Sequence, residues 1–241
     1  PANVGPVTVT LGAVHASFGT VSANRTGEIR QRVTYRHEAA SFQWIDATAG
    51  TAYALADEGS VAIPLGLDFN FYGIPRSSVT VHANGFITFG GSGAASVNIA
   101  LPDPELPNDM IAPYWDDLNP AAGGNVYVLL EGTAPQRRLT IAWVNVPHSG
   151  GTNPASFEAI LYESSGDIVF QYQDADFGDS SLSFGANATV GLENPDGLDA
   201  TVHSFNQPVV QNGTARRFIT AAASDMVSYR VTVNVSGIAG S

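Results

Sequence analysis

Apolar residues in this chain recur at every second position, and no long segment carries the three- and four-residue spacing of a helix face. Val7, Val9 and Leu11 alternate with Thr8 and Thr10. Leu65, Leu67, Phe69 and Phe71 alternate with Asp68, Asn70 and Tyr72, and Val231, Val233 and Val235 alternate with Thr232 and Asn234. A period of two is that of a half-buried strand, whose successive side chains point to opposite faces. Many such short segments, with turn residues every 8 to 12 positions, predict an all-β chain: an antiparallel β-sandwich, jelly-roll-like, with extra strands at both termini.

In chain order, the same reading places strands at 6–14 and 29–35 and around Phe42, Trp44 and Ile45, with breaks at Gly12, Gly19 and 24–27. A strong strand spans 61–72. Residues 79–89 form a hairpin around Asn84-Gly85, a pair that suits the two positive φ angles of a type I′ turn. Residues 90–108 carry Pro102, Pro104 and Pro107, each fixing φ and lacking a donor, and are read as a long loop crossing between sheets. Four consecutive strands follow at 126–130, 139–146, 157–162 and 168–173. Two more fall at 188–192 and 200–205, and a single helical turn at 219–226 precedes the last strand. The chain divides into an N-terminal strand extension (1–39), a sandwich (40–218) and a C-terminal strand extension (219–241), read as one structural unit. Its core is assigned to Trp44, Phe69, Phe71, Trp115, Trp143, Phe157 and Phe170.

Composition narrows the setting. The 241 residues are 44% hydrophobic, enough for a real core, yet only 13% charged. The net charge is −12, and every one of the ten basic residues is Arg. Such a chain repels phosphates and anionic lipid, so nucleic acid and membrane insertion are excluded as expectations. Cysteine is absent, which favours a bacterial or archaeal over a eukaryotic secreted domain. A start at Pro1 is read as the mark of a processed or partial chain. The Gly-, Ser-, Thr- and Asn-rich surface points to an extracellular or cell-surface location.

Recognisable catalytic patterns are missing. The five His are scattered, with no pair at metal-ligand spacing, and there is no Gly-x-Ser-x-Gly elbow and no phosphate-cradling loop with a Lys. Glu158 and Glu163, at odd spacing, fall on opposite faces of one strand. The chain is therefore expected not to be an enzyme. Two acidic loops remain: Asp116 with Asp117, and Asp174, Asp176 and Asp179. Oxygen-rich loops suit hard cations, so calcium is the candidate ion, against the simpler reading that these carboxylates cap turns. Asp57-Glu58 is a lesser acidic turn.

A resemblance joins the middle of the chain together. Ile111-Ala-Pro-Tyr-Trp-Asp-Asp-Leu118, Gly124-Asn-Val-Tyr-Val128, Leu139–Val146, Ser156–Tyr162, Gly166–Tyr172 and Ala188–Asn194 follow one another in order. Phe69-Asn-Phe-Tyr-Gly73 and Asn84-Gly85-Phe86 precede them. The series resembles the NIDO-type extracellular β domain of nidogen and related adhesion proteins. It is closer still to bacterial relatives in large secreted proteins, some beside subtilisin-like proteases. It covers roughly residues 40 to 218 and leaves both flanks outside. The resemblance implies an extracellular, non-catalytic interaction or structural role and carries no catalytic residues to transfer.

The expected function is accordingly a secreted or surface-displayed structural protein that self-assembles, as a filament or surface layer, by strand addition. Val7, Val9, Leu11, Val231, Val233 and Val235 are the candidate self-association residues, and copies of the chain or another extracellular protein are the expected partners. The alternative is an adhesion or substrate-binding module of a larger secreted protein, with a glycan stacked on Tyr53 or Tyr72.

Overall fold

The computed structural model describes residues 3–15, 19–30, 33–90 and 95–222, with the first two strands described by their backbone. Two compact units emerge: Pro1–Val33 with Ala222–Ser241, and Thr34–Ala221. In the first, β1 (Asn3–His15) and β2 (Gly19–Arg30) form an antiparallel two-stranded sheet. Val7 faces Gly27, Val9 faces Arg25 and Leu11 faces Ala23 across the ladder. The ladder runs straight through Gly12 and through 24–27, which the sequence reading takes as breaks. Backbone pairing satisfies these positions whatever side chain they carry. Of the strand expected over 29–35, residues 29–30 belong to β2 and 33–35 to β3 (Val33–Ala40), and 31–32 lie outside the described residues. Val231, Val233 and Val235 lie outside the described residues.

The second unit is an all-β sandwich. After β3 come β4 (Thr51–Tyr53), β5 (Ser60–Phe71), β6 (Ile74–His82), β7 (Ile87–Thr88) and β8 (Met110–Trp115). Then follow β9 (Asn125–Glu131), β10 (Arg138–Pro147), β11 (Pro154–Tyr162) and β12 (Ile168–Asp174). The last are β13 (Thr189–Glu193), β14 (Ala200–Phe205) and β15 (Thr214–Ala222). One sheet has the order β3-β15-β12-β11-β10-β9-β4, the other β14-β13-β8-β7-β6-β5. Strands β9 to β12 form a consecutive antiparallel meander. In place of the helical turn expected from 219, residues 219–222 extend β15. Phe218 pairs with Ile168 on β12, and both are fully buried.

The main core lies between the sheets. Leu65, Leu67, Phe69 and Phe71 project into it from β5, where it meets Trp143, Phe157 and Phe170. Trp143 stacks on Phe157 with ring centroids 5.2 Å apart. Trp44, expected among these residues, is only half-buried and belongs to none of the buried clusters.

Both sheets also bury part of their outer faces. Residues 90–108 do not cross between sheets, because β7 and β8 are hydrogen-bonded neighbours in one sheet. The segment folds back instead, so that Ala95, Ile99 and Leu101 cover Phe86, Met110, Ala112 and Trp115. The Trp115 indole N–H donates to Ala95 O at 2.9 Å. On the other sheet residues 41–46 form no strand. They lie as a strap over Ile160, Val169 and Ala215, and side chains stand in for a ladder partner. Gln43 N–H donates to Gln171 Oε1 (2.5 Å), Gln171 Nε2 donates to Gln43 O (2.7 Å) and Ile45 N–H donates to Glu158 Oε1 (3.2 Å).

Candidate functional site

The acidic junction is assembled by a turn. Val81 pairs with Ile87 and His82 N–H reaches Phe86 O at 3.0 Å, which leaves Ala83, Asn84 and Gly85 as a three-residue loop. Gly85 has φ +74, whereas Asn84 is not among the residues with positive φ, so the turn is not type I′. A glycine closing a three-residue hairpin in the left-handed region fits instead. Glycine is also required by space, since a Cβ here would lie 1.9 Å from Tyr114 O. That close approach lets the turn dock on the end of β8. Tyr114 N–H donates to Gly85 O and Asp116 N–H to Asn84 O, both at 3.2 Å. Asn84 Oδ1 accepts from Leu118 N–H at 2.9 Å, and its Nδ2 donates to Glu58 Oε2 at 2.8 Å. One amide therefore ties the Asp57–Glu58 turn, the hairpin and the Asp116–Leu118 segment together.

The adjacent carboxylates have different fates. Asp116 is 1% exposed. Its Oδ1 accepts from Asp117 N–H (2.9 Å) and Asn187 Nδ2 (3.0 Å), with His148 Nε2 at 3.3 Å, while Oδ2 is buried without a partner. Burial pulls the His148 imidazole down, but its contacts with Asp116 and with Ser149 O outweigh that and raise it above its ordinary value. Asp117 turns the other way. Asp57, Glu58 and Asp117 each bring a carboxylate oxygen within 4.8 Å of the others. Burial raises the Asp117 carboxyl; the nearby imidazole opposes this, and Glu58, Asp57 and Asp116 add to it. Three oxygens so placed are donors of the kind a hard cation takes, but they are Asp57, Glu58 and Asp117 rather than the adjacent pair.

The loop from Asp174 to Asp179 is organised by its own backbone. Asp174 Oδ1 accepts from Asp176 N–H (3.0 Å), Asp176 Oδ1 from Gly178 N–H (2.8 Å) and Asp179 Oδ1 from Ser181 N–H (2.8 Å). These are Asx turns, in which a carboxylate satisfies a donor two residues on. Asp174 and Asp176 also line a polar cleft of about 610 Å³ with Asn145, Asn153, Gln173 and Asn212. Asp179 does not line it. Tyr53 lies in β4 and Tyr72 in the turn between β5 and β6, and both are partly buried against the main core. His82 is buried, stacked on Phe86 at 4.2 Å, and burial holds its imidazole down at about 4.

Sequence reasoning misses Asn84, His148, Asn187 and the amides of the cleft. Only Asn84 carries a signal, through the Asn-Gly pair; the others are brought in by strands distant in the chain. Among the described residues no helix is long and apolar enough to cross a membrane.

Comparison with known families matches the chain to the NIDO-related family over residues 34–233, a wider span than the quoted motifs, taking in β3 and β15. None of the curated proteins and none of the solved structures matches it. Domains of this family are typically extracellular and generally non-catalytic. Over most of its length, then, this chain belongs to the NIDO-related family.

Proposed function

We propose that this chain is a non-catalytic structural module of the cell exterior that assembles with copies of itself by strand addition at its N-terminal hairpin. The observation that supports this reading is the hairpin itself, with strands of 13 and 12 residues in a compact unit apart from the sandwich. A two-stranded sheet is marginal in water, and a further strand on an outer edge stabilises it.

Two of the sandwich's four edge strands, β4 and β5, are by contrast blunted. β4 is three residues long. On β5, Arg137 Nη1 donates to Gly66 O (2.6 Å) and Glu163 Oε1 accepts from Asp68 N–H (3.2 Å), so side chains occupy backbone groups that a foreign strand would need. Short edge strands and charged blocks are usual defences against edge pairing.

The test is the mass and shape of the full chain against a chain lacking residues 1–33, by light scattering and negative-stain microscopy. Oligomers or filaments for the full chain, and a folded monomer for the shortened one, are expected. A monomeric full chain, or assembly that survives the deletion, overturns the reading.

A further inference from the structure

The polar cleft combines two features that point to a ligand. Its volume of about 610 Å³ lies within the range of small-molecule sites. Two β-bulges meet at its floor. Between β10 and β11 the register passes from Trp143↔Phe157 to Val146↔Ala155, so Val144 and Asn145 together oppose Ser156. Between β11 and β12 it passes from Ser156↔Asp174 to Phe157↔Tyr172, leaving Gln173 as the extra residue. Both irregularities therefore centre on Ser156, and both deliver an amide side chain to the cleft. Asn145 is held at φ +55, a left-handed conformation uncommon for a residue with a side chain. Its N–H donates to Ser156 Oγ at 3.0 Å, which fixes the bulge. Bulges re-aim side chains and concentrate beside binding sites, and strain held by its surroundings is a reason to look for one.

The lining chemistry selects the ligand. Asn153 and Gln173 are exposed, and neither side-chain amide is hydrogen-bonded to another described residue. Asn212 is a positioning residue: its Oδ1 accepts from Ala175 N–H (2.7 Å) and its Nδ2 donates to Asp174 Oδ1 (3.0 Å). Asp174 and Asp176 use Oδ1 within their own turns, which leaves Oδ2 of each for a ligand. The lining contains no cationic or aromatic side chain, and Pro154 supplies its one apolar surface.

Anions meet two carboxylates and a chain of net charge −12. A bare cation would leave the amide N–H donors unmet. Hydroxyl groups donate and accept at once, as the amides do, and adjacent hydroxyls can share a carboxylate. We infer that the cleft between β10, β11 and the end of β12 binds a neutral carbohydrate, its hydroxyls bonded by Asn145, Asn153, Gln173, Asp174 and Asp176. Without an aromatic platform the affinity is modest. The cleft lies wholly within 34–221, so binding does not depend on assembly through the hairpin.

Saturation-transfer difference NMR on the full chain tests this, because it reads the small ligand whether or not the protein assembles. The probes are maltotriose, cellotriose and N,N′,N″-triacetylchitotriose, each with and without calcium chloride. At least one is expected to give a saturable signal in the native chain. In the Asn153→Ala/Gln173→Ala double variant binding is expected to weaken about tenfold, with an unchanged melting temperature, since two exposed hydrogen-bonding amides are lost. No transfer to any of the three sugars overturns the proposal. So does equal binding by the folded double variant, or a melting-temperature response to calcium alone with no sugar signal.

Discussion

Glu158 is fully buried on the outer face of the seven-stranded sheet, and a single oxygen serves both of its partners. Oε1 accepts from Gln171 Nε2 (2.7 Å) and from Ile45 N–H, while Oε2 is buried without a partner. Burial pushes its carboxyl up from 4.5 to about 8, against the lowering effect of those bonds. Folding thus retains a proton that the unfolded chain gives up. The stability this proton contributes is complete below pH 4.5, falls as the pH rises and is gone above about 8. Glu193, pushed up by burial to about 7, acts in the same direction. Glu158→Gln keeps the Oε1 acceptor and removes the titration. It is expected to raise stability at pH 8 by about 2 kcal/mol. Urea unfolding at several pH values should show a shallower, though not flat, decline from pH 5 to 8. Asp117→Asn tests the acidic junction separately. Removing one charge from a crowd of carboxylates is expected to stabilise the chain in chelator by about 0.5 kcal/mol, read from the urea midpoint. A stabilisation that reverses on adding calcium would assign the three oxygens to that ion.

Among the elements, the β6–β7 hairpin and β8 stand or fall together. Gly85→Ala meets two costs at once: φ +74 disfavours a side chain, and the new Cβ collides with Tyr114 O. A loss of about 3 kcal/mol or more is expected, measurable as a lower denaturant midpoint. Asn84-Gly85 was legible as a turn because those residues favour positive φ, but its class was not. The partner that demands the glycine, Tyr114, lies far along the chain. The same limit explains residues 90–108. Three prolines reveal a loop locally, whereas its course over Trp115 depends on which strands are neighbours. Alternation made β5 and the meander legible. It failed for 41–46, where apolar residues pack on a sheet without joining it, and for Asp116 and Asp117, whose separation depends on His148, Glu58 and Asp57. The bulges at Asn145 and Gln173 leave no pattern in the sequence at all.

At the scale of the whole molecule, charge is distributed unevenly between the two units. Residues 34–221 hold six arginines against twenty acidic residues, a net of −14, whereas the remaining segments hold four arginines against two acidic residues, a net of +2. Sandwiches approaching one another therefore repel, and the hairpin unit is the part of the chain that does not add to this repulsion. If copies join by pairing hairpin with hairpin, the contact itself is nearly neutral and the main opposing force is between the acidic sandwiches. Added salt screens that force, since the Debye length shortens from about 30 Å at 0.01 M to about 8 Å at 0.15 M. Assembly is thus expected to strengthen with sodium chloride over this range and then level off, as sedimentation velocity at fixed protein concentration would show. The opposite trend has its own meaning. Dissociation by salt would place the basic hairpin unit against the acidic sandwich of a neighbour, because only attraction between unlike charges weakens on screening. The sign of the salt effect thus separates strand pairing between arms from electrostatic capture of an arm by a sandwich.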